Sequence, residues 1–295
     1  MNEGYEFAVN YNVLSNEKLT WTVGANLTLM KNKIVALPNG GADIIGGSST
    51  NTNIAPNIII REGESMNSLF GYEYWGVNPA NGNPVYVKAD GSLVQGNIPT
   101  ANYKVFDPNN PSNIDVAATL AASDRKILGN TLPTYFGGFT SKLEVSNFDL
   151  NILVRYSGGN KIFNGTRRDL LNLNLNNNST EILGRWQSAE NPGDGVTPRL
   201  WASSNPFVNL TSAATTRFVE DADFIKVDNV SLGYSLPRTL TDKLGIQRLR
   251  AYVQGQNLLM ITDYKGLDPE MENTGVDING TPRSRIMSFG LNVTF

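Results

Sequence analysis

The sequence predicts an all-β protein whose antiparallel strands form part of a transmembrane β-barrel. Three observations support this fold class. Apolar and polar residues alternate over runs of about nine to thirteen residues, which suits a tilted strand that crosses a bilayer better than a soluble strand of five or six residues. Short and long connections alternate between these runs. The polar side of each run is mainly Ser, Thr, Asn, Gly and Gln, which is typical of a barrel lumen rather than of a charged, solvated surface.

The first two runs predict a β-hairpin. From Tyr5 to Val13 the odd positions are apolar or aromatic, and the even positions are mostly polar. Residues 15–18 form a short turn, and the alternation resumes from Leu19 to Leu29. Because successive side chains of a strand point to opposite faces, this period of two indicates paired strands with one apolar face.

Five further runs follow the same pattern. A second hairpin is predicted from Tyr135 to Tyr156, with its turn at Ser146 and Asn147. The next run ends at Leu236, before Pro237, and the run near residues 248–261 is less regular. The last run is the most regular, and we predict it to be the strand that directs barrel assembly. Its apolar positions are Met287, Phe289, Leu291, Val293 and Phe295.

The connections and the number of strands bear on topology. The short connections are 15–18, 146–147 and 237–247, and the long ones are 32–132, 159–222 and 262–282. Outer-membrane barrels have short periplasmic turns, so residues 32–132 and 159–222 are predicted to be long extracellular loops. Bacterial barrels have an even number of strands, whereas seven are predicted here, and the first residues do not read as a secretory signal. We therefore expect residues 1–295 to be the C-terminal part of a longer barrel polypeptide.

The composition argues against an enzyme. The chain has no histidine and no cysteine, so it cannot form a Ser-His-Asp or Cys-His catalytic group or a zinc site of His and Cys ligands. Its 24 basic residues are scattered and its net charge is −3, whereas nucleic-acid binding requires a clustered basic face. No cofactor is predicted, and no nucleic-acid partner.

Aromatic residues of the long connections are the candidates for contact with a substrate or a partner protein, because aromatic faces stack on sugar rings and pack against proteins. A connection of about a hundred residues is also longer than is needed only to join two strands of a compact domain. The alternative interpretation, which we favour, is that these residues fold the loops onto each other or onto a partner. The candidates are Tyr72, Tyr74, Trp75, Tyr86, Trp186 and Trp201.

The acidic residues near the C-terminus allow two interpretations. Carboxylates are hard ligands that suit calcium, but the spacing of Asp268, Glu270, Glu272 and Asp277 lacks the regular positions of an EF-hand loop. We favour a structural turn at residues 268–270, and we predict no metal site.

The segment from Asn257 to Glu270, in the C-terminal third, has the sequence NLLMITDYKGLDPE. It resembles the signature of SusC/RagA-type TonB-linked outer-membrane transporters. Shorter matches follow the family's order along the chain, among them Phe70-Gly71-Tyr72, Arg185-Trp186, Leu232-Gly233-Tyr234 and the terminal Phe295. The signature residues are Asn257, Thr262, Tyr264, Gly266, Asp268, Pro269 and Glu270.

The resemblance covers the C-terminal barrel part of that family. It implies a 22-stranded, plugged barrel in the outer membrane of a Gram-negative bacterium, surrounded by outer-membrane lipid, of which this chain forms the last seven or so strands. It also implies import of oligosaccharides or peptides, capture of substrate by a SusD-like surface lipoprotein, and energy supplied by TonB, ExbB and ExbD through the plug.

The sequence alone also allows a second hypothesis. A soluble or surface-attached β-sandwich that binds a ligand shows the same alternation, but it buries its apolar face instead of exposing it to lipid.

Overall fold

The computed structural model describes residues 1–46, 57–171, 177–200, 213–270 and 275–295. Its helices are short: α1 (Gly165–Leu170), α2 (Arg238–Thr241), and single 3-10 turns at Asn39–Gly41, Ile98–Thr100, Ala122–Asp124, Thr180–Gly184 and Asp242–Leu244. None of the helices in the described ranges combines the length and apolar character that crossing a membrane requires.

Strands make up most of the regular structure. The chain opens with β1 (Asn2–Ser15) and β2 (Leu19–Asn32). The next group is β3 (Ile44–Ile45), β4 (Ile58–Ile60), β5 (Ser68–Val77), β6 (Pro84–Val87), β7 (Leu93–Asn97), β8 (Asn102–Val105), β9 (Ala117–Ala118) and β10 (Lys126–Gly129). It is followed by β11 (Tyr135–Val145), β12 (Phe148–Gly158), β13 (Lys161–Asn164), β14 (Ala214–Thr215) and β15 (Val219–Asp221). The last strands are β16 (Phe224–Ser235), β17 (Arg248–Thr262), β18 (Val276–Asp277) and β19 (Ile286–Thr294).

The seven long strands form one antiparallel sheet in the order β1-β2-β11-β12-β16-β17-β19. Each strand therefore pairs with the next long strand of the chain. The predicted strands are confirmed, and so is the alternation of short turns with long connections. All three long connections leave from the same end of the sheet: the first connection (residues 33–134), the second (159–223) and the third (263–285).

A β-bulge accounts for the irregular alternation in the sixth long strand. Val227 of β16 pairs with Leu259 of β17, whereas Asn229 pairs with Gln256, so Asn257 and Leu258 oppose the single residue Asp228. Asn257 has a φ of 55°, a left-handed conformation that asparagine tolerates better than most residues.

The two faces of the sheet differ as predicted. Apart from Phe224, the apolar side chains of the long strands are exposed or half-buried, and Phe289 reaches 81% relative exposure. The face is uncovered among the described residues, and the outer edges of β1 and β19 pair with no described strand. A soluble sandwich would place a second layer on this face, so its uncovered state favours a sheet that faces lipid.

The hydrophobic core lies in the connections instead of the long sheet. The first connection supplies most of a nine-stranded sheet, to which the second connection adds β14 beside β5. A three-stranded sheet joins β13 and β15 of the second connection to β18 of the third. We call this unit the cap: the described residues of the three long connections. Its main core draws on all three connections, with Ile58, Leu69, Phe163, Leu171, Ala214, Phe218 and Val276.

Gly71 shows how closely the cap strands approach. A Cβ at this position would lie 2.0 Å from the carbonyl oxygen of Ala214 on β14, a distance that no real side chain adopts. The absence of a side chain therefore allows β14 to pair in parallel with β5, which binds the second connection to the first.

Candidate functional site

Two polar groups on the apolar face of the sheet have partners within the sheet. The indole N–H of Trp21 on β2 donates to the hydroxyl oxygen of Ser141 on β11, at 3.0 Å. The hydroxyl of Tyr156 on β12 donates to the carbonyl oxygen of Asn26 on β2, at 2.8 Å. Polar groups on a lipid-facing surface need partners within the protein, because hydrocarbon supplies none.

The polar face carries two neighbouring cavities. The larger has a volume of about 890 Å³ and is lined by hydroxyl, amide and charged side chains, among them Thr140, Lys142, Asn151, Gln256 and Asn257. The smaller, of about 580 Å³, lies nearer the cap, and its lining includes residues of the second and third connections. Arg283 of the third connection lines both, so these two cavities meet at that connection.

A cluster of charged residues anchors the third connection on this polar face. The carboxylate of Glu270 accepts hydrogen bonds from Nζ of Lys226 on β16, at 2.7 Å, and from Nη1 of Arg155 on β12, at 3.1 Å. Asp228, the residue at the bulge, forms an ion pair with Arg155 at 3.2 Å. The Lys226 side chain is only 1% exposed and that of Glu270 is 11% exposed. Burial of the Lys226–Glu270 pair therefore makes each charge depend on its partner.

The basic neighbours also set the ionisation of Glu270. Burial by itself would raise the pKa of this carboxyl, but the hydrogen bond from Lys226 and the charges of Arg155 and Arg283 outweigh burial and lower the pKa below its usual value. Glu270 is therefore ionised at neutral pH, which keeps the anchor intact.

The N-terminal half of the family-like signature connects the sheet to the cap. The side-chain amide of Asn257 donates to the carbonyl oxygen of Arg283, at 2.7 Å, and so fixes the chain just before β19. The hydroxyl of Thr262 donates to the carbonyl oxygen of Asp223 at 2.7 Å. The hydroxyl of Tyr264 donates to Oδ2 of Asp277 at 2.6 Å, within the third connection.

The second half of the signature forms a compact turn. A Cβ on Gly266 would lie 2.3 Å from the ring of Tyr264, so glycine allows the chain to pass across that ring. Oδ1 of Asp268 accepts the main-chain N–H of Glu270 at 2.9 Å, and Pro269 between them is buried. Residues 268–270 thus form the turn predicted for them, and this turn directs Glu270 at the sheet. The Glu270 carboxylate faces basic side chains. Glu272 lies outside the described residues.

Two of the aromatic candidates are buried in the cap. Tyr72 and Tyr86 are 5% and 1% exposed and belong to a second core cluster. Burial raises the pKa of the Tyr86 hydroxyl well above its usual value. These two side chains therefore make core contacts, which agrees with the favoured interpretation that loop aromatics fold the connections together and leaves them closed to a substrate. The sequence does not reveal this, because an aromatic residue in a polar loop has the same local pattern whether it is covered or exposed.

The other described candidates lie nearer the surface. Tyr74 packs edge-on against Tyr86, and its hydroxyl donates to the carbonyl oxygen of Val196 at 2.7 Å. The indole N–H of Trp186 donates to the carbonyl oxygen of Pro79 at 2.8 Å. Both contacts join the first connection to the second.

Trp75 is the most exposed of the described aromatic candidates. It is 48% exposed and rests against the ring of Phe106, with ring centroids 5.2 Å apart. Trp201 lies outside the described residues. Among the candidates, Trp75 is therefore the one whose side chain is open to a ligand or a partner protein.

A second buried ion cluster holds the connections together. Arg167 of α1 pairs with Glu181 and, at 3.0 Å, with Glu220, all within the second connection. The other carboxylate oxygen of Glu220 accepts the main-chain N–H of Lys265 in the third connection, at 2.8 Å. The hydrogen bond from Arg167 lowers the pKa of Glu181. This cluster couples the second and third connections.

The predicted assembly strand is β19, at one edge of the sheet. Its alternate side chains are exposed on the apolar face: Met287 60%, Phe289 81%, Leu291 68%, Val293 44% and Phe295 82%.

Sequence reasoning missed the basic partners of Glu270. Lys226 and Arg155 are visible as charged residues on the polar face, but Lys142 and Asp149 share that pattern, so the sequence does not single them out as partners of Glu270. Arg283 has no such pattern, since it lies in a connection of mixed composition.

The chain is similar over its full length to several TonB-dependent receptors. It is 32% identical to TonB-dependent receptor P3 of Formosa agariphila and 26% identical to TonB-dependent receptor SusC of Bacteroides thetaiotaomicron. It spans 28% and 26% of the lengths of these two proteins. No protein-family model matches the sequence.

Solved structures show the same fold. The structure of the RagAB peptide transporter matches all of this chain with a TM-score of 0.77 at 24% identity, and 29% of the matched transporter chain is covered. The RagAB peptide importer in its open-open state matches with a TM-score of 0.75 at 22% identity. The predicted resemblance to SusC and RagA is therefore confirmed.

Proposed function

We propose that this chain, a relative of the SusC and RagA TonB-dependent receptors, forms the C-terminal wall and cap of an outer-membrane transporter in a Gram-negative bacterium. The observation that carries the proposal is the seven-stranded sheet, with its exposed apolar face, its polar face lined by cavities, and all of its long connections at one end.

The open edges of this sheet support the proposal that the barrel closes. An open edge leaves main-chain N–H and C=O groups without partners, which is untenable in hydrocarbon. Because the relatives are more than three times as long as the matched region, additional strands from the same polypeptide are the natural partners for β1 and β19. A barrel of 22 strands, with this sheet as its last seven, satisfies the requirement for an even number.

In this proposal the cap lies on the extracellular side of the membrane. It lies at the end of the sheet that carries the long connections, whereas periplasmic turns are short. Residues 32–132 and 159–222 would then be the extracellular loops against which a SusD-like lipoprotein docks, with Trp75 exposed for contact.

The proposed activity is import of oligosaccharides or peptides, driven by TonB, ExbB and ExbD. The support is the names of the relatives, which are receptors and transporters rather than enzymes. The combination of a large cavity on the polar face of the sheet and a chain without histidine or cysteine fits transport better than catalysis.

Cysteine labelling on intact cells tests the topology. Residues 1–295 contain no cysteine, so Trp75→Cys in the cap and Lys18→Cys in a short turn each introduce one reactive thiol into this region. In the protein expressed from its natural gene, a membrane-impermeant maleimide should label Trp75→Cys on intact cells and Lys18→Cys only after the outer membrane is permeabilised. Label on both positions in intact cells, or a protein recovered in the soluble fraction, would reject the proposal in favour of the soluble binding module.

A further inference from the structure

Arg283 occupies a distinctive place on the polar face. Its backbone is held on both sides: its carbonyl oxygen accepts from Asn257 at 2.7 Å, and its N–H lies 3.5 Å from Oδ2 of Asp268. Arg283 lines both the larger and the smaller cavity. Because the backbone is fixed in this way, the guanidinium stays within reach of the two cavities.

The charge of Arg283 is only weakly compensated by neighbouring carboxylates. The ion pair recorded for it among the described residues is to Glu270, at 3.8 Å. That carboxylate is already engaged at shorter distances by Lys226, at 2.7 Å, and Arg155, at 3.1 Å. The Arg283 side chain is also 55% exposed, in contrast to the buried Lys226.

The charged residues that line the larger cavity are mainly basic: Lys142, Lys226 and Arg283, against the acidic Asp228. Lys142 pairs with Glu144 at 2.8 Å and Lys226 with Glu270 at 2.7 Å, so Arg283 is the basic lining residue with the weakest carboxylate contact. The chain as a whole has a net charge of −3. Guanidinium groups bind carboxylates in a bidentate geometry, which makes Arg283 the natural contact for such a group in this cavity.

We propose that Arg283 forms an anion subsite on the transport path, which receives a carboxylate of the substrate. This inference rests on the proposed function and specifies the substrate class: a carboxylate-bearing molecule, either an acidic peptide or an acidic oligosaccharide. The ion pairs that Glu270 makes with Lys226 and Arg155 leave the Arg283 guanidinium available for the ligand.

Charged thiol reagents measure the potential beside Arg283. Ser284→Cys places a thiol in the same cavity, next to Arg283 in sequence. In the whole detergent-purified protein, the thiol should react faster with the anionic reagent sulfonatoethyl methanethiosulfonate than with its cationic trimethylammonium analogue, once each rate is normalised to free cysteine. Adding Arg283→Gln should lower this ratio roughly fivefold or more, as expected from removal of one charge several ångströms away. Adding Arg283→Lys should retain most of it.

A remote thiol is the matched control. Asn10→Cys lies on the polar face of β1, at the opposite edge of the sheet, and its reagent ratio should not respond to Arg283→Gln. Equal normalised rates at Ser284→Cys, or no reaction with either reagent, would overturn the subsite, since the cavity would then be uncharged or sealed.

A transport assay separates the two carboxylate sources. Uptake of a glutamate-containing tetrapeptide and of a hexuronate tetrasaccharide is compared with uptake of their amidated or neutral counterparts. If Arg283→Gln loses the preference for the acidic tetrapeptide, the carboxylate comes from a peptide. If it loses the preference for the acidic tetrasaccharide, the carboxylate comes from an oligosaccharide. The absence of any charge preference in the unaltered protein would overturn the subsite, even if uptake itself supports the transporter.

Discussion

At the residue scale, the buried pair of Glu270 and Lys226 holds the third connection against the sheet. A lysine that is 1% exposed is tolerable only when its charge is paired, and its partner belongs to a turn 44 residues further along the chain. The turn at Asp268 and Pro269 is visible in the sequence, but its partner on β16 is not. The contact depends on how a loop folds back, which no local pattern encodes.

Removing one member of this pair should be costly. We expect Glu270→Gln to lower the free energy of unfolding by up to about 3–5 kcal/mol, because it leaves Lys226 buried and charged with only Asp228, at 3.9 Å, as a counter-charge. The measurement is the unfolding midpoint in urea, in detergent. Glu17→Gln, in an exposed short turn, is the control and should change little. A midpoint for Glu270→Gln equal to that of the control would contradict the anchor.

The lowered pKa of Glu270 predicts acid sensitivity. A carboxyl with a depressed folded-state pKa contributes stability above its unfolded pKa, about 4.3, and that contribution is lost as pH falls through the folded value. The difference in stability between the natural protein and Glu270→Gln should therefore be constant near neutral pH and shrink below about pH 4. A difference that stays constant at acid pH would show that the ionised carboxylate is not the stabilising species.

The left-handed conformation of Asn257 gives another residue-level test. Asn257→Val should cost about 1–3 kcal/mol, because a β-branched residue is strained at this φ of 55°. Asn257→Gly relieves that strain and loses only the amide hydrogen bonds to Arg283 and Ser284, so it should cost about 1 kcal/mol. Thermal unfolding midpoints of the two variants distinguish these effects, and equal midpoints would argue against backbone strain.

At the scale of elements, the long strands are predictable and the cap strands are not. The long strands carry a period of two over nine or more residues, and each pairs with the next long strand, so local pattern and topology agree. The cap strands are as short as two residues, and β14 pairs with β5 across more than 140 residues. Pairing at that distance depends on a shared core and on the close approach at Gly71, neither of which shows as periodicity.

The two faces of β19 allow a matched test of the lipid-facing assignment. Phe289→Arg should destabilise the folded protein in vesicles by about 2–4 kcal/mol, since it places a charge in hydrocarbon near the bilayer centre. Ser288→Arg, one residue earlier and on the polar face, should be nearly neutral. Urea titration of both variants in the same vesicles measures the difference, and equal effects would contradict the assignment of faces.

At the scale of the whole molecule, the described part of the chain consists of a cap with a hydrophobic core and a long sheet without one. Nearly all of its buried apolar side chains belong to the cap, and the sheet exposes its apolar residues. This division explains the low charge content: the sheet exposes apolar side chains on one face and small polar groups on the other.

This division predicts that damage to the cap stays local. Phe163→Ala removes a large side chain from the shared core and should cost the cap about 3–5 kcal/mol. Limited proteolysis should then cut the connections much faster while the sheet keeps its infrared β signal. Leu183→Ala, at a position that is 69% exposed, is the control. Loss of the whole β signal in Phe163→Ala would show that sheet and cap fold as one unit.

The central claim is that the apolar face of the seven-stranded sheet lies against lipid and that the opposite face lines a polar interior. Spin labels at Leu291→Cys and Asn292→Cys, neighbours on β19, test it in the whole protein reconstituted into vesicles. The label at 291 should collide mainly with oxygen, which concentrates in lipid, and the label at 292 mainly with a water-soluble nickel chelate. Equal accessibility of both labels to the nickel chelate would contradict the account.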